Sequence, residues 1–131
     1  CMRKFILAVI AVLGLSLNSC SKNVNVTTVN AQEFNKAITA DSVQLVDVRT
    51  AEEYHAGRIA YAKNNDVTMT GFKQRAIDSL DKTKPVYVYC HSGRRSLSAA
   101  GILSDAGFKV VNLHGGYNEW RFANLPTNVP R

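Results

Sequence analysis

The segment most capable of chemistry is a short loop that begins at Cys90 and reads Cys-His-Ser-Gly-Arg-Arg-Ser. It follows a β-branched and aromatic run at 86–89, which predicts a buried strand, and it leads into a predicted helix. The backbone N–H groups of such a loop and of the helix N-terminus can surround an anion beside the cysteine. That field favours the thiolate, which is the nucleophilic form of cysteine. We therefore interpret Cys90 as a nucleophile that reacts with a small anion.

The residues after the nucleophile are predicted to bind the substrate. Gly93 permits a tight turn and a close approach of the backbone to a ligand. Arg94 and Arg95 place positive charge beside the anion site, whereas His91 and Ser92 are expected to contribute mainly backbone N–H groups. The predicted substrate-binding set is His91, Ser92, Gly93, Arg94, Arg95 and Ser96.

The alternation of strands and helices predicts how the loop is positioned. Strands are expected at 24–29, 43–48, 59–65, 86–89 and 110–113, and helices at 31–38, 51–55, 71–80, 96–106 and 117–122. Asn30 with Glu33, and Thr50 with Glu53, have the spacing of helix N-caps, and Gly57 is a predicted left-handed C-cap. This order predicts an α/β domain with a parallel sheet covered by helices on both faces. Ligand sites in such sheets lie at the carboxyl ends of strands, where Cys90 falls.

The first residues are not expected to belong to the domain. Arg3 and Lys4 precede an apolar run at 5–17, which is too short for a span of about 20 residues and suits a secretory signal. The run ends Leu17-Asn18-Ser19-Cys20, the pattern of a bacterial lipobox. Cys1 precedes Met2, which has the features of a natural start.

The expected organisation follows from that leader. Residues 1–19 are a predicted signal peptide, 20–29 a lipidated cysteine, tether and first strand, and 26–131 the catalytic domain. Lipidation of Cys20 predicts a stable anchor at the bacterial cell envelope, on its periplasmic side. Cys90 is then the sole remaining thiol, which excludes an internal disulfide or a CxxC redox pair.

The motifs, taken in order, resemble the single-domain rhodanese-like sulfurtransferases over about 26–120. The first signature is Leu45-Val46-Asp47-Val48-Arg49, followed by Glu53-Tyr54 and Gly57-Arg58-Ile59, and the Cys90 loop resembles the active loop. The last helix, strand and turn match at Ala99-Ala100, Leu103, Gly107-Phe108, Val111, Leu113, Gly115-Gly116 and Trp120.

That resemblance implies a five-stranded parallel sheet and a persulfide on Cys90. The sulfur would come from a donor such as thiosulfate, and cyanide, a small thiol or a thiol protein would accept it. Asp47 and Arg49 are implied structural supports. Arg58 stands where the family very often has histidine, which we expect to affect local support.

Three other functions fit parts of the pattern. A cysteine phosphatase carries its phosphate-clamping arginine at the position that Ser96 occupies here, which disfavours that reaction. Arsenate reduction and a non-catalytic binding or sensing module at the membrane surface remain alternatives.

Composition limits the partners further. The 131 residues carry a net charge of +6, but the basic residues form no stripe with aromatics, so nucleic acid is not expected. His55, His91 and His114 lack metal-ligand spacing. We expect no metal or cofactor, and a monomer.

Overall fold

A computed structural model describes residues 25–128, so the predicted leader, Cys20 and most of the tether lie outside the described residues. The elements are β1 (Val26–Val29), α1 (Ala31–Ala40), β2 (Gln44–Asp47), α2 (Ala51–Ala56), β3 (Arg58–Ile59), β4 (Lys63–Asn64), α3 (Phe72–Ser79), β5 (Val86–Tyr89), α4 (Arg94–Asp105), β6 (Val110–Leu113), α5 (Gly116–Phe122) and β7 (Thr127–Asn128). None of the helices within 25–128 has the length and apolar character needed to cross a membrane.

Five of the strands form one parallel sheet in the order β1-β6-β5-β2-β4. Because side chains alternate along a strand, the inner strands β2, β5 and β6 contribute to two cores. Val46 and Val88 pack with α3 and α4 on one face. Leu45 and Tyr89 pack with α1 and α5 on the other. The predicted five-stranded parallel sheet with helices on both faces is confirmed.

Local capping signals are confirmed in the helices that flank β2. The side chain of Asn30 accepts a hydrogen bond from the N–H of Glu33 at the start of α1. Thr50 and Glu53 form a reciprocal capping box at the start of α2. Each cap satisfies a backbone N–H that the first helical turn leaves without a partner.

The segment at 59–65, predicted to hold a third short strand, does hold one, but the structure divides the segment between two short strands. Arg58–Ile59 pairs antiparallel with β7, which the sequence analysis missed, and Lys63–Asn64 forms the edge of the main sheet. Tyr61, with φ of 71°, turns the chain between the two strands. A left-handed tyrosine ends extended pairing there.

Two further boundaries differ from the prediction. Gly57 has φ of 161° and ψ of 142°, which is extended backbone, so it is not the predicted left-handed cap. Helix α4 begins at Arg94 rather than at Ser96, which places both arginines of the loop in the first helical turn.

Candidate active site

Cys90 lies directly after β5, between β2 and β6 at the carboxyl edge of the sheet. Its side chain is buried, and it is the one cysteine among residues 25–128. The N–H of Gly93 donates a hydrogen bond to Sγ at 3.0 Å. The predicted backbone donor to the sulfur is therefore present, in a position to stabilise negative charge on it.

The turn of the loop depends on Gly93. Its φ of +100° lies in the left-handed region, and an added Cβ would stand 3.3 Å from the backbone nitrogen of Gly115. The carbonyl of Gly93 accepts the N–H of Leu97 at 3.2 Å and the hydroxyl of Ser96 at 3.3 Å. Ser96 is buried, so its hydroxyl stabilises the start of α4 rather than facing solvent.

The start of α5 forms the floor beneath the loop. The N–H groups of Tyr117 and Asn118 donate to the carbonyls of Cys90 and His91 at 2.8 and 2.9 Å. A Cβ on Gly116 would lie 2.6 Å from the Cys90 carbonyl oxygen, so only glycine allows this approach. The loop is thereby tied to β6 and α5 through backbone contacts.

Asp47 and Arg49 form a buried ion pair beside the loop. Nη2 of Arg49 lies 2.6 Å from Oδ2 of Asp47 and donates to the Gly57 carbonyl at 2.7 Å. Tyr89 donates its hydroxyl to the same carboxylate at 2.8 Å. Burial, together with the charge of Asp47, raises the pKa of Tyr89, which keeps this hydroxyl protonated. The guanidinium of Arg49 also stacks 4.4 Å from the ring of Tyr117.

The two arginines of the loop have different surroundings. Arg95 forms two hydrogen bonds with the carboxylate of Glu53, at 2.8 and 2.9 Å. Those bonds lower the pKa of Glu53 to about 2, so the pair is ionised at neutral pH. Arg94 is exposed and forms no ion pair with any residue that the structure describes. His91 and Ser92 are also exposed.

The family model described as "Rhodanese-like domain" matches residues 30–123, which is most of the chain and includes the entire loop. The chain belongs to the rhodanese-like family. The resemblance predicted from the sequence motifs is thus confirmed.

Several relatives carry the name of a sulfurtransferase. Thiosulfate sulfurtransferase GlpE of Shewanella oneidensis is 37% identical over 87 residues, covering 65% of this chain and 82% of that protein. Thiosulfate sulfurtransferase 18 of Arabidopsis thaliana is 30% identical over 129 residues, covering 89% and 94%.

Solved structures show the same likeness. A rhodanese-related protein from Thermoplasma volcanium has a TM-score of 0.69 at 27% identity, covering 79% of this chain and 99% of that chain. A rhodanese-like domain protein from Staphylococcus aureus has a TM-score of 0.65 at 32% identity, covering 72% and 90%.

In this rhodanese-like domain, the structure brings Asp47 and Arg49 next to the loop but uses Arg58 differently. Arg58 donates to the carbonyl of Tyr54 at 3.2 Å, and its guanidinium lies 4.5 Å from the Tyr54 ring. This is local support between α2 and β3. Within residues 25–128, no group of three or more His, Cys, Asp or Glu side chains could hold a metal ion.

Sequence reasoning missed two features of the rhodanese-like site. Glu53 was predicted as a helix cap and as part of the first signature, but not as the partner of Arg95, which is 42 residues away. Arg121, which lies beside His91 and Tyr117 in a groove next to the loop, was not identified at all. Its only signal was a basic residue directly after Trp120 in the last motif.

Another cavity of the domain lies away from the Cys90 loop. It has a volume of about 640 Å³, and its wall includes Ile38, Val43, Ile59 and Trp120. Val43 precedes β2, so this cavity lies toward the amino edge of the sheet, whereas Cys90 lies at the carboxyl edge. We therefore place the candidate active site at the Cys90 loop.

Proposed function

We propose that this rhodanese-like domain moves a sulfane sulfur from a donor such as thiosulfate to a thiophilic acceptor through a persulfide on Cys90. The observation that carries the proposal is the bond from the Gly93 N–H to Sγ at the carboxyl end of β5. A buried thiol with a backbone donor is suited to hold negative charge during sulfur transfer. The names of the two relatives above favour the same reaction.

Transfer takes place in two displacements. The Cys90 thiolate attacks the outer sulfur of thiosulfate, the S–S bond of thiosulfate breaks, and its electron pair leaves with sulfite. Cyanide or a thiolate then attacks the outer sulfur of the persulfide. The bond to Sγ breaks, its electron pair returns to Cys90 as thiolate, and the acceptor leaves as thiocyanate or a persulfide.

The loop arginines are proposed to attract the anionic donor. Arg94 is exposed and unpaired within the described chain, so it can meet the donor without first losing a partner. Arg95 shares its guanidinium with Glu53, so its contact with a donor competes with that carboxylate. His91, Ser92 and Gly93 are proposed to contribute backbone N–H groups.

The mass of the intact protein before and after thiosulfate tests this function. Wild type should gain one sulfur atom, which a reductant removes, and should turn over thiosulfate and cyanide. The Cys90→Ser variant should do neither, while its thermal unfolding stays close to that of wild type. A Cys90→Ser variant with wild-type turnover would contradict the proposal. A wild type that gains no sulfur would favour the non-catalytic module or arsenate reduction.

We also propose that the domain is anchored at the periplasmic side of the cell envelope through lipid on Cys20, and that it acts as a monomer on external donors and acceptors. The support is the lipobox after the basic and apolar leader. Cys20→Ala should accumulate as unprocessed precursor. A wild-type protein with a free Cys20 thiol in the soluble fraction would rule out the anchor.

A further inference from the structure

A groove of about 320 Å³ lies beside the Cys90 loop, on the face of the sheet that carries α5. Its wall includes Arg49, Glu53, His91, Tyr117 and Arg121. His91 follows the nucleophile directly, and the N–H of Tyr117 binds the Cys90 carbonyl. The groove is therefore continuous with the active loop.

Two hydrogen-bond donors in this wall have no partner among residues 25–128. Arg49 is only 3% exposed, and its Nε and Nη2 are bound to Asp47 and Gly57, but no described residue accepts a hydrogen bond from its Nη1. The hydroxyl of Tyr117 also has no hydrogen-bond partner within residues 25–128, although Tyr117 is 6% exposed. Neither atom is among the buried side-chain atoms that lack a hydrogen-bond partner, so both donors are open to solvent in the groove and available to a ligand.

The charges in the groove are not balanced. Arg121 is exposed, its guanidinium lies 5.9 Å from the centre of the Tyr117 ring, and it pairs with no carboxylate in the described part of the chain. The one carboxylate in the wall belongs to Glu53, which is bound to Arg95. An arginine without a carboxylate and several free donors match the oxygens of a carboxylate or sulfonate.

We propose that this groove binds the carboxylate or sulfonate group of the thiol that accepts sulfur from Cys90, with Arg121 as its charged contact. The inference rests on the proposed sulfurtransferase function. The sulfonate of thiosulfate is one bond from the transferred sulfur and must stay beside Cys90. A groove that begins beyond Cys90, at His91, is reached only by a longer molecule, which indicates the acceptor rather than the donor.

The chemistry of the step is unchanged by this subsite. The acceptor thiolate attacks the outer sulfur of the persulfide, and Cys90 leaves as thiolate with the electron pair of the broken S–S bond. Binding of the distant anion holds the attacking thiolate near the persulfide and raises the rate of this displacement.

A pair of thiols of equal length tests the subsite. The protein is first loaded with thiosulfate and freed of donor, and persulfide loss is followed by mass with mercaptohexanoate or with neutral mercaptohexanol. Wild type should discharge faster with the carboxylate. In Arg121→Gln the ratio of the two rates should fall by about 3- to 10-fold, the size of a charge-assisted contact at a partly exposed site. Dividing one rate by the other removes differences in persulfide reactivity between variants.

Two control variants separate the local contact from general charge. Arg121→Lys should retain most of the preference, because the cation remains. Lys73→Gln removes one positive charge from α3, on the other face of the sheet, and should leave the ratio unchanged.

Three results would overturn the inference. An Arg121→Gln variant with the wild-type ratio would exclude this contact. The wild type should prefer mercaptohexanoate over mercaptohexanol more strongly than it prefers mercaptopropionate over mercaptopropanol. If the two preferences were equal, the anion would bind at the loop arginines instead of the groove. A wild type that forms no persulfide would overturn the proposed function itself, and this outcome is seen in the loading step before any acceptor is added.

Discussion

Two arginine–carboxylate pairs flank the Cys90 loop and differ mainly in burial. The side chains of Asp47 and Arg49 are 0% and 4% exposed, whereas those of Glu53 and Arg95 are 34% and 31% exposed. In the buried pair, the carboxylate also accepts the hydroxyl of Tyr89. The outer pair is partly exposed to solvent beside the Cys90 loop.

This difference in burial gives the two ion pairs different roles. A buried pair holds its geometry because neither charge can be left alone in a low-dielectric interior. An exposed pair contributes little to stability, since water can replace either partner. Arg49 therefore supports the site, while Arg95 can leave Glu53 and turn toward an anion.

Asp47→Asn should have the largest effect on stability. The substitution keeps the shape but leaves the charge of Arg49 buried without its counterion. We expect a loss of about 3–5 kcal/mol in the free energy of unfolding, measured by urea titration. A loss below about 1 kcal/mol would mean that the buried pair behaves like the exposed one.

Tyr89→Phe tests the uncharged hydroxyl that is bound to the buried Asp47–Arg49 pair. The hydroxyl of Tyr89 donates to Asp47 and accepts the N–H of Ile59 at 3.0 Å. Its removal leaves a buried N–H unsatisfied, which should cost about 1–3 kcal/mol in unfolding free energy. Tyr87→Phe on the same strand, where the hydroxyl is not fully enclosed, is the matched control and should cost less.

Glu53→Gln tests the exposed pair by its effect on the KM for thiosulfate. Glutamine can still cap α2, so the change mainly removes the charge that competes for Arg95. We expect the KM for thiosulfate to fall by about 2- to 5-fold, with kcat within about 2-fold and stability changed by less than about 1 kcal/mol. Glu52→Gln, an exposed neighbour in the same helical turn, should leave KM unchanged. A rise in KM would instead show that Glu53 positions Arg95 for the donor.

The smallest expected effect is the contribution of the Glu53–Arg95 pair to stability at acidic pH. Because the pKa of Glu53 is lowered from 4.5 to about 2 in the folded protein, its ion pair stabilises the fold above about pH 4.5. That contribution is lost as pH falls toward 2. Solvent screening limits it to about 1 kcal/mol or less. The difference in Tm between wild type and Glu53→Gln should therefore shrink from pH 5 to pH 2, and a constant difference would contradict it.

The structural features that depend on short-range sequence patterns were predicted correctly. The caps at Asn30 and Thr50 involve side chains three residues from their partners, and the apolar run before Cys90 is a strand. Such features depend on local spacing and propensity, which are visible in the order of residues. The Gly93 turn beside Cys90 was predicted for the same reason.

The errors occur where distant segments decide the conformation. Ile59 to Asn65 has the composition of one strand, but pairing of Arg58–Ile59 with β7 divides it. Gly57 is extended, and Arg58 directly after it pairs with Asn128 of β7. No local pattern specifies a pairing with residues that lie far along the chain.

The sequence alone determined the family and the parallel α/β architecture, because these follow from motifs and from the period of apolar residues. Only the tertiary structure decided which arginine is bound and which is free. Arg95 meets Glu53 because the ends of β2 and β5 are adjacent in the sheet, and Arg121 stays free because α5 places no carboxylate against it in the described chain. Charge pairing depends on distances of a few ångströms in space, which spacing along the chain does not specify.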